Sequence, residues 1–122
     1  DMVHILMHTD RIADYMKACD VVLSKPGGLS STEAAVSGTA LLHITPIPGC
    51  ETLNMKFFGE RGMAVPVETI DARLGKICDK MLKEERYRRM ADRQKQYSNP
   101  HSAADICDFA QKYANFAKNI SI

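Results

Sequence analysis

With 122 residues, 45% of them hydrophobic and 25% charged, the chain is long enough for one domain with a real core and has an ordinary globular composition. Sixteen basic residues against fifteen acidic ones leave a net charge of +1, which argues against a dedicated nucleic-acid surface. The four cysteines, Cys19, Cys50, Cys78 and Cys107, form no C-x-x-C pair, so they suggest neither a zinc site nor a disulfide framework; reduced thiols in a cytosolic protein fit them best.

The chain opens on an apolar run over residues 3–7, which reads as a buried parallel strand, followed by a helix over 10–18. Residues 20–24, with Val21, Val22 and Leu23, read as a second strand. Pro26 biases Lys25 toward extended geometry, and Gly27 and Gly28 allow positive φ and a close backbone approach to a ligand. Ser30, Ser31 or Thr32 can cap a helix over 30–37, and Gly38 offers its C-terminal stop. A third strand, over 40–44, empties into a loop containing Pro46, Pro48 and Gly49, and a helix over 51–61 follows.

Residues 63–67 read as a fourth strand, and 70–82, 84–97 and 102–117 as helices, with Asn99 and Pro100 breaking between the last two. Strand and helix alternate, which predicts an α/β fold with a parallel sheet and right-handed crossovers. Phe109, Tyr113, Phe116 and Ile120 repeat at helical spacing as a packing stripe. Cys19, Cys78 and Cys107 read as small core residues, and His4 and His43 as satisfied sheet residues, whereas His8 falls at a strand end where it can line a ligand pocket.

The chemistry concentrates in two loops. The first amides of a helix lack internal partners and sit at the positive end of its dipole, so a diphosphate is favoured in front of Leu29, Ser30 and Ser31. Glu33, about one and a half turns in, can accept hydrogen bonds from a ribose diol. Glu51 and Asn54, one turn apart after the Pro-Gly loop, can face the same edge and bind a sugar, because ligands of open α/β sheets bind at the carboxyl ends of the strands. The plainer reading has an ordinary βα turn, with Glu33 complementing the helix dipole and Glu51 and Asn54 serving as solvated caps.

Taken together, Pro-Gly-Gly-Leu-Ser-Ser-Thr-Glu-Ala at 26–34 and Pro-Ile-Pro-Gly-Cys-Glu-Thr-Leu-Asn at 46–54 resemble the C-terminal half of the nucleotide-sugar domain of glycosyltransferase family 28. The wording is most similar to its diacylglycerol branch, and the resemblance covers residues 3–67. It implies a Rossmann-like, parallel-sheet half of a GT-B C-terminal domain with C-terminal helices, in which Gly27, Gly28, Leu29, Ser30 and Ser31 line the diphosphate and Glu33 holds the ribose. By the same resemblance Thr9 reads the uracil edge through its backbone, Glu51 contacts hydroxyls of the donor hexose, Asn54 supports the loop or the sugar, and Gly49 and Cys50 count among the donor-binding residues. Cys50 departs from the family, which places glutamine there; a thiol is a weak hydrogen-bonding group, so the departure bears on donor selectivity.

The resemblance further implies a two-domain enzyme that transfers a hexose from a UDP-sugar to a lipid acceptor such as diacylglycerol. This chain, which starts at Asp1, is then a donor-binding fragment inactive alone, with the acceptor site and catalytic base in a missing N-terminal domain. No metal or cofactor is implied beyond the donor itself, because helix amides can neutralise the leaving diphosphate. The expected location is cytoplasmic. The basic run from Lys83 to Lys95 reads as a solvated helix face, with peripheral contact to anionic lipid at the inner membrane face as the sharper alternative. Two other readings stay open: a UDP-N-acetylglucosamine 2-epimerase-like enzyme, and a non-catalytic nucleotide-binding module whose sugar pocket has decayed.

Overall fold

A computed structural model describes residues 3–120, and their side chains except at 84 and 116–120. The elements run α1 (Ile12–Ala18), β1 (Val21–Ser24), α2 (Gly28–Ser37), β2 (Ala40–His43), α3 (Cys50–Glu60), β3 (Val65–Pro66), α4 (Leu74–Met81), α5 (Glu84–Tyr97) and α6 (Ser102–Ile120). The sheet has the order β1-β2-β3 and is parallel throughout, as the alternation of elements predicts.

The central strand organises the core. Ala40, Leu41, Leu42 and His43 are all buried, and their side chains alternate between two apolar layers. Leu41 joins Met16, Ala34, Ala35, Phe58, Met63 and Ala64 on the side of α1, α2 and α3. Ala40 and Leu42 join Val67, Met81 and Met90 on the side of α4 and α5. A parallel strand covered on both faces must be apolar along its whole length, and β2 is so until its last residue.

Several expectations are corrected. Residues 3–7 form no strand: Val3, Ile5, Leu6 and Met7 are exposed, because no helix of the described chain covers their faces. The fourth strand shrinks from 63–67 to Val65–Pro66, since Pro66 has no N–H to give the ladder; Val67 still donates to the carbonyl of His43 at 2.7 Å. Helix α4 begins at Leu74 rather than 70, because the Asp71 carboxylate accepts the amide of Arg73 at 2.8 Å in a local turn.

Cys19 and Cys107 are exposed, so neither is a core residue, whereas Cys78 is half-buried against the second layer. On α6, Phe109 and Tyr113 are exposed and stack on each other with ring centroids 6.3 Å apart, so their stripe is not packed into this domain. The side chains of Phe116 and Ile120, the rest of that stripe, lie outside the described residues.

One polar residue ties the layers together. Gln94, fully buried on the otherwise strongly polar α5, donates through Nε2 to the carbonyls of Thr39 and Met63, each at 3.0 Å. These carbonyls precede β2 and lead into β3, and without Gln94 both are buried and short of a donor. Gln94→Ala is expected to cost about 2 kcal/mol of folding free energy; an unchanged urea midpoint would show that water takes over the amide's role.

Candidate functional site

The carboxyl ends of β1 and β2 carry two loops to one edge of the sheet. The first is residues 25–27, ahead of α2. Gly27 is the N-cap, with φ −69° and ψ 148°, so the helix starts at Gly28, and the expected caps Ser30, Ser31 and Thr32 all lie inside it. Thr32 turns its hydroxyl back to the carbonyl of Gly28 at 2.7 Å.

This earlier start redistributes the amides. Ser31 donates its N–H to the carbonyl of Gly27 at 3.1 Å, and Gly27 donates its own to Lys25 at 2.8 Å, so neither is an anion donor as expected. The amides left at the helix start are those of Gly28, Leu29 and Ser30, aimed out of the N-terminus. The Leu29 side chain is 82% exposed.

Of the two properties expected of the glycines, positive φ is not used. Neither Gly27 nor Gly28 has positive φ, and a Cβ built on either would meet nothing within 4 Å. The chain's own conformation and packing leave room for a Cβ at both positions, and with glycine there the space in front of the three amides is open.

The facing loop is different. Gly49 takes φ 110° and ψ −125° as the N-cap of α3, a conformation that side chains resist. Glu51 Oε2 accepts the amide of Ile47 at 2.6 Å, holding the Pro-Gly loop closed while the residue stays half-buried. Asn54 Nδ2 donates to the carbonyl of Pro26 at 2.9 Å, so the first turn of α3 is tied directly to the glycine turn. Cys50 is exposed at the first position of α3, and Glu33 is exposed on α2. Thr9 is half-buried and accepts the amide of Arg11 at 3.0 Å, a local contact ahead of α1.

Beneath the first turn of α2 lies a pair that reading the sequence does not bring together. Ser31 Oγ is 2.9 Å from His43 Nε2, with Ser31 fully buried and His43 1% exposed. The imidazole also meets the ring of Phe58 edge-on, at 5.4 Å between centroids. His43 is thus the satisfied sheet residue expected, but its partner is a presumed phosphate-loop serine. The detectable signal was a histidine closing an otherwise apolar strand just before a loop. His4 and His8, by contrast, are exposed.

Elsewhere, the basic residues of α5 are solvent-facing, with Arg89 paired to Glu85 at 2.7 Å. Among the described residues no helix is long and apolar enough to cross a membrane.

Burial lowers the pKa of His43 from 6.5 to about 4. Well above pH 6.5 the ring is neutral in both states and contributes no pH dependence. Between pH 6.5 and 4 the unfolded chain takes up a proton that the folded chain refuses, so stability falls as pH falls, by up to ~3 kcal/mol. Urea unfolding at pH 7 and pH 4.5 is expected to show this loss, and His43→Gln to flatten that part of the profile; parallel profiles would show that other groups carry the acid sensitivity.

No protein-family model matches the chain. Among curated proteins it is 31% identical over 90 residues to the processive diacylglycerol beta-glucosyltransferase of Bacillus subtilis (strain 168), covering 74% of this chain and 24% of that protein. It is 27% identical over 108 residues to the enzyme of the same name from Bacillus pumilus (strain SAFR-032), covering 88% of this chain and 28% of that protein. The chain therefore spans about a quarter of the length of these relatives. Among solved structures it resembles Acinetobacter baumannii MurG, with a TM-score of 0.71 and 23% identity, over 89% of this chain and 33% of that one. That likeness shows the fold: an α/β arrangement with a parallel sheet, as the sequence predicts.

Proposed function

We propose that the chain, which matches processive diacylglycerol beta-glucosyltransferases and fits the C-terminal domain of glycosyltransferase family 28, is the donor-binding part of a two-domain transferase. The whole enzyme would move a hexose from a UDP-sugar to a lipid acceptor such as diacylglycerol, with the acceptor supplied through an N-terminal domain outside this chain.

The observation that carries the reading is the glycine turn. Gly27 and Gly28 leave open space that the chain's own fold does not need, directly before the unpaired amides of Gly28, Leu29 and Ser30. A diphosphate seated there meets backbone donors and the positive end of α2, and no metal is required to neutralise it as a leaving group. Glu33, exposed on the next turn, takes the ribose hydroxyls.

The second loop is preorganised for the sugar. Glu51 keeps one carboxylate oxygen on the amide of Ile47, leaving the other for a hexose hydroxyl, while Asn54 holds this loop against Pro26. Gly49 and Cys50 border the hexose, and Thr9 offers its backbone to the base. Cys50 replaces a strong hydrogen-bonding group by a weak one and so tunes the choice of sugar. The enzyme would work in the cytoplasm, where the exposed basic residues of α5 suit a peripheral contact with anionic lipid at the inner membrane face.

Calorimetric titration with uridine diphosphate tests the donor site. Glu33→Ala is expected to weaken binding by about tenfold, the size of one lost hydrogen-bonded contact; unchanged affinity would remove Glu33 from the site. Gly28→Ala is expected to weaken binding while leaving the urea midpoint the same or higher, because alanine is the better helix former by about 1 kcal/mol. Unaltered affinity in that variant would mean that no ligand approaches the turn.

A further inference from the structure

We propose that His43 and Ser31 act as a positioning pair for the donor site, pinning the first turn of α2 to the end of β2 so that the amides of Gly28, Leu29 and Ser30 hold one orientation. The inference rests on the donor-site reading for its consequence, but its physical content is a property of the free protein.

The pair is anomalous where it sits. His43 and Ser31 lie in the layer formed by Leu41, Ala34, Ala35 and Phe58, where burying an imidazole and a hydroxyl is costly unless each satisfies the other. An alanine and an aliphatic residue would fill such a layer without that cost. A directional bond does something that an apolar contact does not: it fixes the helix in rotation and along its axis, whereas packed methyl groups tolerate sliding.

Each partner is well placed to transmit that constraint. The backbone of His43 is held from both sides, since the carbonyl of His43 accepts the amide of Val67 at 2.7 Å and the next amide, of Ile44, donates to Ser24 at 3.0 Å. Ser31 is the first residue of α2 whose amide is bonded within the helix, one position past the three unpaired amides. The pin therefore grips the helix at the base of its open turn. Asn54, bonded to Pro26, grips the other end of the same turn from α3. Between these two anchors the amides of Gly28, Leu29 and Ser30 are left without an acceptor in the chain.

Three variants of the chain test the pair: Ser31→Ala, His43→Leu and His43→Gln, the last keeping a polar group able to reach the serine. NMR order parameters are read first, without ligand. In the parent chain Gly28, Leu29 and Ser30 are expected near the rigid value of about 0.85, falling below about 0.6 in Ser31→Ala and His43→Leu and recovering in His43→Gln. Values unchanged in Ser31→Ala would overturn the proposal. Uridine diphosphate titration is read second. Affinity is expected to drop about tenfold in Ser31→Ala and His43→Leu and to return in His43→Gln, with helix content by circular dichroism the same in all. Equal affinity across the set would also overturn the proposal. If the parent chain itself binds no uridine diphosphate, the donor-site reading fails, and the positioning claim is then decided by the order parameters alone.

Discussion

Everything in this domain hangs on β2, a strand paired on both edges and buried on both faces. Because Ala40 and Leu42 face one helix layer while Leu41 and His43 face the other, the strand sets the spacing of both layers at once. Its start is held by Gln94 through the carbonyl of Thr39, and its end by the ladder to Ser24 and Val67. A strand so constrained cannot shift register without exposing one layer and burying polar atoms in the other.

The site inherits this rigidity. The two loops at the carboxyl ends of β1 and β2 are short, and each is locked by side chains from the elements around it: Asn54 on Pro26, Glu51 on Ile47, Ser31 on His43. Such locking lowers the cost of ordering the loops around a ligand, so that binding free energy is spent on recognition rather than on organisation. The amides of Gly28, Leu29 and Ser30 have no acceptor in the chain, and a Cβ at Gly27 or Gly28 would meet nothing within 4 Å.

Outside that centre the chain is unevenly packed. The apolar residues 3–7 and the Phe109 and Tyr113 side of α6 are exposed, in contrast to the dense layers over β2. The chain spans about a quarter of its relatives' length.

The sequence by itself determined the alternation of strands and helices, the parallel sheet, the two loops at the carboxyl ends of its strands and the family, because each is carried by local signals: apolar runs, Gly and Pro punctuation, and a contiguous motif. It misplaced what depends on neighbours. Residues 3–7 have the composition of a strand, but pairing requires a partner and cover that composition does not encode. The start of α2 moved from Ser30 to Gly28, because a helix begins where its first hydrogen bond closes, here from Ser31 to Gly27, and not at the best capping residue. Only the tertiary structure joined Ser31 to His43, Asn54 to Pro26, and Gln94 to Thr39 and Met63. These contacts span 12 to 55 positions in the chain, and a hydrogen bond between residues so far apart leaves no periodic trace in either segment.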